Sequence, residues 1–307
     1  MNNFNSASPI APIKYGKLRF DKRYSTSYVI SRVIVYTLLI MITAMFIVPY
    51  LWLIFSSFKT PDQFSSPKFT FLPRDADGNL HFEFSNYVEA WRELEVPTVL
   101  LNTLLVCVVN TFANLFLNAL AAYAFARMQF VGRDKIFMFS LTSLMVPGCV
   151  MLIPNFIIIN SLGLYDNLLA LILPFLMSVY NIFLLRQQFL AVEKEIEEAA
   201  RIDGAGYFKV FFSVCLPIVK PMLIVLGIST FMWNYNNYLW PLLVLDSQEN
   251  FTLSISLGAL MKNGGANSQM FPVMLAGAVM VSAPMIIVFF VLQKYILGGT
   301  MAGAVKG

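Results

Sequence analysis

Three groups of side chains in this 307-residue chain have types and spacings that can do chemistry. Asn110, Asn114 and Asn118 recur every four residues inside an apolar run, so on a helix they share one face. Amides in apolar surroundings are unfavourable without partners. That face must meet another helix, where amides bond across the interface, or a wet cavity, where they line a path for a hydroxylated ligand. The second group is Trp233-Asn234-Tyr235-Asn236-Asn237-Tyr238-Leu239-Trp240. Its rings can stack on sugar rings, and its amides can donate to and accept from hydroxyls; the same aromatics also suit packing or a membrane-interface belt. The third group is the charged stretch 193–206, which contains Glu198, Ala199, Ala200, Arg201, Asp203 and Gly204.

The elements that hold these groups are read from composition. Hydrophobic residues make up 58% of the chain and charged residues 12%, about half the charge of a soluble domain, and mean hydropathy is +0.70. A soluble fold has nowhere to put this much apolar surface, so the chain is expected to be an all-α integral membrane protein. A bilayer core of about 30 Å needs about 20 apolar residues of helix. Six stretches qualify or come close: 33–57, 99–126, 136–159, 168–185, 221–245 and 271–292, and none contains Asp, Glu, Lys, Arg or His. Pro49, Pro147, Pro154, Pro174, Pro241 and Pro284 fall inside them and mark places where a membrane helix can bend.

With the N-terminus in the cytoplasm, sixteen Lys and Arg lie inside and five outside. This strong positive-inside bias predicts cytoplasmic N- and C-termini. The expected organisation is a basic cytoplasmic tail (1–32), a first span (33–57), an extracytoplasmic loop (58–97), a transmembrane core (98–297) with a cytoplasmic loop at 187–220, and a cytoplasmic tail (298–307). The first 32 residues lack the short apolar core and cleavage site of a signal peptide. The loop 58–97 is rich in turn signals and ends in a stretch, 86–96, with the pattern of a short amphipathic helix carrying Tyr87 and Trp91.

In the third group, the first eleven residues favour helix. Val192, Ile196 and Ala199/Ala200 trace one narrow apolar face on a charged background. Gly204 and Gly206 then stop it, because glycine readily takes the left-handed cap conformation. This is either a solvated loop helix or a docking helix: the small Ala199 and Ala200 permit close approach of a partner, and flanking charges such as Arg201 and Asp203 can fix its register. Tyr207, Phe208, Phe211 and Phe212 follow as an interfacial aromatic segment.

The string E-A-A-x3-G-x9-V-x-L-P over 198–217 resembles the cytoplasmic "EAA" loop of bacterial ABC importer permeases, with Val214 where the family prefers Ile. L-A-A-Y-A-F-A-R (120–127), L-G-L-Y-D-N-L-L-A-L-I-L-P (162–174), F-L-L-R-Q-Q-F (183–189), W-N-Y-N-N-Y-L-W-P-L-L (233–243) and G-A-V-K-G (303–307) are similar to the sugar-importing, maltose-type inner subunits. The resemblance covers nearly the whole chain after residue 30 and implies a type I ABC importer permease (MetI-like) fold. It further implies that Glu198 pairs with an arginine of a cytoplasmic ATPase dimer, that Ala199 and Ala200 pack closely there, and that Gly204 is the bend. Gly303, Ala304, Val305, Lys306 and Gly307 would reach toward the ATPase dimer interface. A second permease completing a heterodimer and an extracytoplasmic sugar-binding protein are the other implied partners, with the loop 58–97 and the segment 246–270 as candidate receptors for the latter. On this reading Asn110, Asn114, Asn118, Trp233, Asn234, Tyr235, Asn237 and Tyr238 are candidates for the translocation path.

Other function classes fit less well. An ion-coupled secondary sugar carrier, the main alternative, ordinarily places an ionisable group within the membrane, whereas all six stretches lack one. No channel filter string or charged ring is recognisable. The only histidine, His81, sits in a polar loop, and Cys107, Cys149 and Cys215 have no metal or CxxC spacing. There is no G-x4-G-K-S/T phosphate loop, so ATP and Mg are expected on a partner ATPase and no cofactor on this chain. Nucleic acid is not an expected partner; the lipid bilayer is.

Overall fold

The computed structural model describes residues 26–302 except 67, 76 and 266. The expected tail contact at Gly303–Gly307 lies outside the described residues. The chain divides into two compact units, Met1–Trp52 and Leu53–Gly307. The first holds most of α1 (Thr26–Ser56), a helix whose most apolar 18-residue window has mean hydropathy 2.5. Its one charge, Arg32, donates to the hydroxyls of Tyr28 and Tyr36 a turn to either side.

In the second unit, α2 (Pro61–Ser65) starts on a capping box between Thr60 and Gln63. α3 (Ser85–Glu93) is the short amphipathic helix expected near 86–96. Then come α4 (Val96–Arg127), α5 (Arg133–Thr142), α6 (Leu152–Ser161), α7 (Leu169–Ile172) and α8 (Val179–Ala191). α9 (Lys194–Ile202) and α10 (Tyr207–Val210) lead through a π-helical turn (Phe211–Cys215) into α11 (Leu216–Asn236). α12 (Leu239–Val244), α13 (Leu253–Gly264) and α14 (Phe271–Ala302) complete the chain. Among the described residues the only β pairing is an isolated bridge, Arg74 with Leu80.

Among the described residues, four helices are long and apolar enough to cross a membrane, and six spans result if each of two bent pairs counts as one. The expected third and fourth spans are therefore not straight rods. Arg133–Met145 and Gly148–Ser161 meet at 97°, and Leu169–Phe175 and Val179–Ala191 at 46°. Val146 is forced extended before Pro147; Pro174 likewise has no N–H to give to its own helix. The fifth span ends at Asn236, where extended Asn237 breaks it, and Pro241 belongs to the separate α12. The segment 246–270, a candidate receptor for the binding protein, contains α13, whose Leu253, Ile255 and Leu260 are buried.

α4 is the centre of the unit, packed between α8 and α11. α11 comes close because Gly227 faces Leu115; a Cβ there would stand 3.0 Å from the leucine Cδ1. At the Arg127 end of α4, Ala119, Ala122 and Tyr123 pack with Phe189 of α8 and Phe211 of the π turn. At its Val96 end, Val99 and Cys107 pack with Tyr235, Leu260 and Met274. Large apolar side chains such as Phe112, Phe139, Ile153 and Phe290 remain exposed, as a surface covered by lipid or another membrane subunit requires.

Candidate functional site

The three asparagines of α4 face the break between α7 and α8. Asn110 Nδ2 donates to the Ile172 carbonyl (3.1 Å), Asn114 Nδ2 to Phe175 (2.8 Å) and Asn118 Nδ2 to Leu176 (3.4 Å). The Asn118 carbonyl oxygen accepts from the Ser178 N–H at 2.9 Å. A helix broken inside a membrane leaves backbone groups that water would otherwise satisfy; this ladder of amides satisfies them at the cost of none of its own. The two readings of the ladder merge, because Asn110 and Asn114 both hold the break together and line a cavity.

That cavity, of about 300 Å³, is lined by Asn110, Asn114, Phe175, Met177, Ser178, Tyr180, Asn181, Ser229, Thr230 and Trp233. Asn181 Nδ2 donates to Asn114 Oδ1 at 2.9 Å and approaches Thr230 Oγ1 at 3.4 Å, joining α4, α8 and α11. Asn234 Nδ2 reaches Asn110 Oδ1 at 3.2 Å. Trp233 is 49% exposed, its ring edge-on to Phe175 with centroids 4.8 Å apart. The lining thus combines amides, hydroxyls and aromatic rings, in a volume at the lower end of small-molecule sites.

Not every expected path residue lies here. Asn118 is fully buried beneath the cavity. Asn234 and Asn237 border a much smaller neighbouring void. Tyr235 points to the opposite side, its hydroxyl donating to the Val281 carbonyl at 2.6 Å. Tyr238 lies over Gly258, where a Cβ would stand 2.6 Å from its ring. α11 turns Tyr235 away from Trp233, whereas Tyr238, 43% exposed, follows the break at Asn237. Ser178, Asn181 and Thr230 were missed by reading the sequence; the one signal was polar residues inside runs otherwise counted as apolar.

The charged stretch folds as the expected helix, α9, and Gly204 takes φ +82° to end it. The inward face differs from the one expected. Val192 is buried and Ala200 half-buried, but Ile196 is 43% exposed and Ala199 is exposed. The side chain that enters the core is Glu197, because Arg127 awaits it there: Nε and Oε1 approach to 2.6 Å as an ion contact without hydrogen-bond alignment. Glu195, Glu198, Ala199 and Ile202 consequently share the outward face, with Ile202 86% exposed. Arg201 lies over the Tyr207 ring, 4.6 Å from its centroid, and Asp203 is exposed at the C-cap.

Near the Val96 end of α4 a second polar knot forms. Asp166, at φ +58°, accepts from the Ser247 hydroxyl, from the N–H groups of Asp246 and Ser247 at 3.0 Å each, and from Asn250 Nδ2 at 3.2 Å. The Ser247 hydroxyl and these amides hold its carboxyl down to about 2. Asn102 ties the same segment to α4 through the carbonyls of Glu249 and Phe251.

Residues 118–298 match the family described as binding-protein-dependent transport system inner membrane component. A probable ABC transporter permease of Bacillus subtilis, YurM, is 34% identical over 84% of this chain and 83% of its own length. The lactose transport system permease protein LacG of Rhizobium radiobacter is 29% identical over 89% of this chain and 96% of its own. Among solved structures, a chain of a bacterial ABC transporter involved in import of the acidic polysaccharide alginate superposes with a TM-score of 0.78 at 25% identity. That likeness covers 89% of this chain and 98% of the other.

Proposed function

The chain belongs to the binding-protein-dependent transport system inner membrane components, and we propose from that membership that its cargo is a carbohydrate. It is a membrane-spanning permease subunit of an ABC importer, a transport subunit and not an enzyme. Importers of this kind work with a second permease, an ATPase and a binding protein. The cargo reading is supported by the relatives named for lactose and alginate. It is carried by one observation on this chain: a cavity at the broken fourth span whose lining is amide, hydroxyl and aromatic. Hydroxyls of a sugar both donate and accept, which amides match in both senses, and Trp233 offers an apolar face.

Within that reading, Asn110, Asn114, Asn181, Thr230 and Trp233 form this subunit's share of the path, the second permease of a heterodimer completing the wall. Asn118, Asn234 and Asn237 support it from behind. α9 is the ATPase-docking element, through Glu198, Ala199 and Ile202 on its outward face, with Asp203 and Gly204 at its end. Ala200 and Arg201 hold α9 in place from the inner side. Both termini and α9 lie in the cytoplasm, in keeping with the Lys and Arg bias, and the tail 303–307 reaches the ATPase dimer, where ATP and Mg act. The sugar-binding protein docks on the opposite side, on the loop 58–97 and the segment 246–270.

The test is purification of the tagged chain in mild detergent, followed by uptake of labelled sugars in reconstituted vesicles. An ATPase and a second permease should co-purify, and uptake should require ATP and the binding protein. Glu198→Arg should release the ATPase. A lone chain that transports sugar without ATP would refute the assignment.

A further inference from the structure

Arg127 ends α4, and its guanidinium grips two elements at once. Nε meets Glu197 Oε1 of α9, and Nη2 donates to the carbonyl of Val192, the C-cap of α8, at 2.5 Å. Both charged side chains are enclosed, 5% and 6% exposed, by the apolar cluster around Tyr123, Phe189 and Phe211. A pair of apolar side chains would hold two helices together as well as a buried ion pair does. What a buried ion pair adds is a fixed register between the elements it joins.

α4 is suited to transmit that register. From Thr98 to Arg127 it contains neither proline nor glycine, and it runs as one helix. The 17 helical steps from Arg127 to Asn110 span about 25 Å. The route through α11 contains joints: it is reached only through α10 and a π-helical turn and carries Pro221, where displacement can be absorbed. α8 runs without a break to Ser178 and Asn181 at the cavity, and Arg127 holds its C-cap. α4 is the route to Asn110 and Asn114 on the facing wall.

We propose that Arg127 and Glu197 lock α9 and α4 into one lever, so that displacement of the docking helix moves the Asn110–Asn114 wall of the cavity directly. This rests on α9 being the ATPase-docking element. Arg127 and Glu197 are positioning residues: they touch neither nucleotide nor sugar, and they set how much transport each hydrolysed ATP yields.

The experiment uses the complete importer in vesicles and reads three quantities: ATPase retained, ATP hydrolysed, and sugar taken up per ATP. Arg127→Met and Glu197→Gln should keep assembly and hydrolysis while uptake per ATP falls roughly 2- to 30-fold, and Arg127→Lys should recover part of the loss. An unchanged ratio overturns the lever. If the variants fail to assemble, the native pair is tested with spin labels at Gln129→Cys and Lys194→Cys in a Cys149→Ser background. One distance in the nucleotide-free and ATP-trapped states supports the lever; a change of about 5 Å, one helical turn, overturns it. The Glu198→Arg control separates the two readings. If it retains the ATPase, the docking assignment fails; if it releases the ATPase while the uptake ratio of the pair variants is unchanged, only the lever fails.

Discussion

The indole N–H of Trp240 donates at 2.9 Å to the carbonyl of Ala170, the carbonyl that Pro174, four residues on, leaves without its helical donor. Two broken segments, α7 and α12, are thereby joined by the defect of one of them. Trp240→Phe keeps the ring and removes the donor. It should lower stability by about 1–3 kcal/mol, read as a drop in melting temperature in detergent, while Trp240→Tyr should give no recovery because its hydroxyl sits elsewhere.

Asn118 and Asn114 separate stability from transport. Asn118→Ala unpairs the Ser178 N–H and the Leu176 carbonyl and should lower melting temperature with the apparent sugar affinity unchanged. Asn114→Ala should raise the sugar concentration for half-maximal uptake, because Asn114 also faces the cavity. Equal effects of both on uptake would contradict this division.

Trp233→Ala should reduce uptake at limiting sugar by roughly 2- to 10-fold, the equivalent of an aromatic contact of about 0.5–1.5 kcal/mol, and Trp233→Phe by less. Concentration-dependent uptake in vesicles reads the difference.

Asp166 provides a pH test. Its carboxyl is held down to about 2, below the ordinary value of about 3.9, so the charged form stabilises the fold. That contribution is complete above the ordinary value and is lost as pH falls through the depressed one. Asp166→Asn tolerates the left-handed backbone and removes the charge together with one of the two acceptor oxygens. It should melt earlier than the parent at pH 7, with the gap narrowing below about pH 4 and smallest below about pH 2.

Gly204 has φ +82° and open space where a Cβ would be, so substitution acts through the backbone alone. Gly204→Val should disturb the end of α9 at about 1–2 kcal/mol and weaken ATPase retention. Gly204→Asn should do much less, and co-purification distinguishes the two.

The apolar runs, Pro147 and Pro174, and the E-A-A-x3-G string made the spans, the two bends and α9 legible, because each is a local property of neighbouring residues, whereas Pro49 and Pro284 lie inside unbroken helices. The inward face of α9 was not. Spacing favoured Ile196 and Ala199, and Glu197 reads as one more solvated acid until Arg127, 70 residues earlier, is brought against it. Asn110 and Asn114 announced a polar face, yet nothing local said that their partners would be carbonyls 61 and 62 residues away. The 97° elbow was likewise hidden, since Pro147 permits many angles and the packing of α5 against α8 and of α6 against α12 selects one.

The amide ladder also orders the making of the protein. Residues 110–118 leave the ribosome some sixty residues before 172–178, so during insertion the amide donors are already in the membrane when the broken segment arrives with its unpaired carbonyls. A permuted gene that delivered the fourth span ahead of the second would present that segment to bare lipid, and biogenesis would stall there although the finished contacts were all encoded.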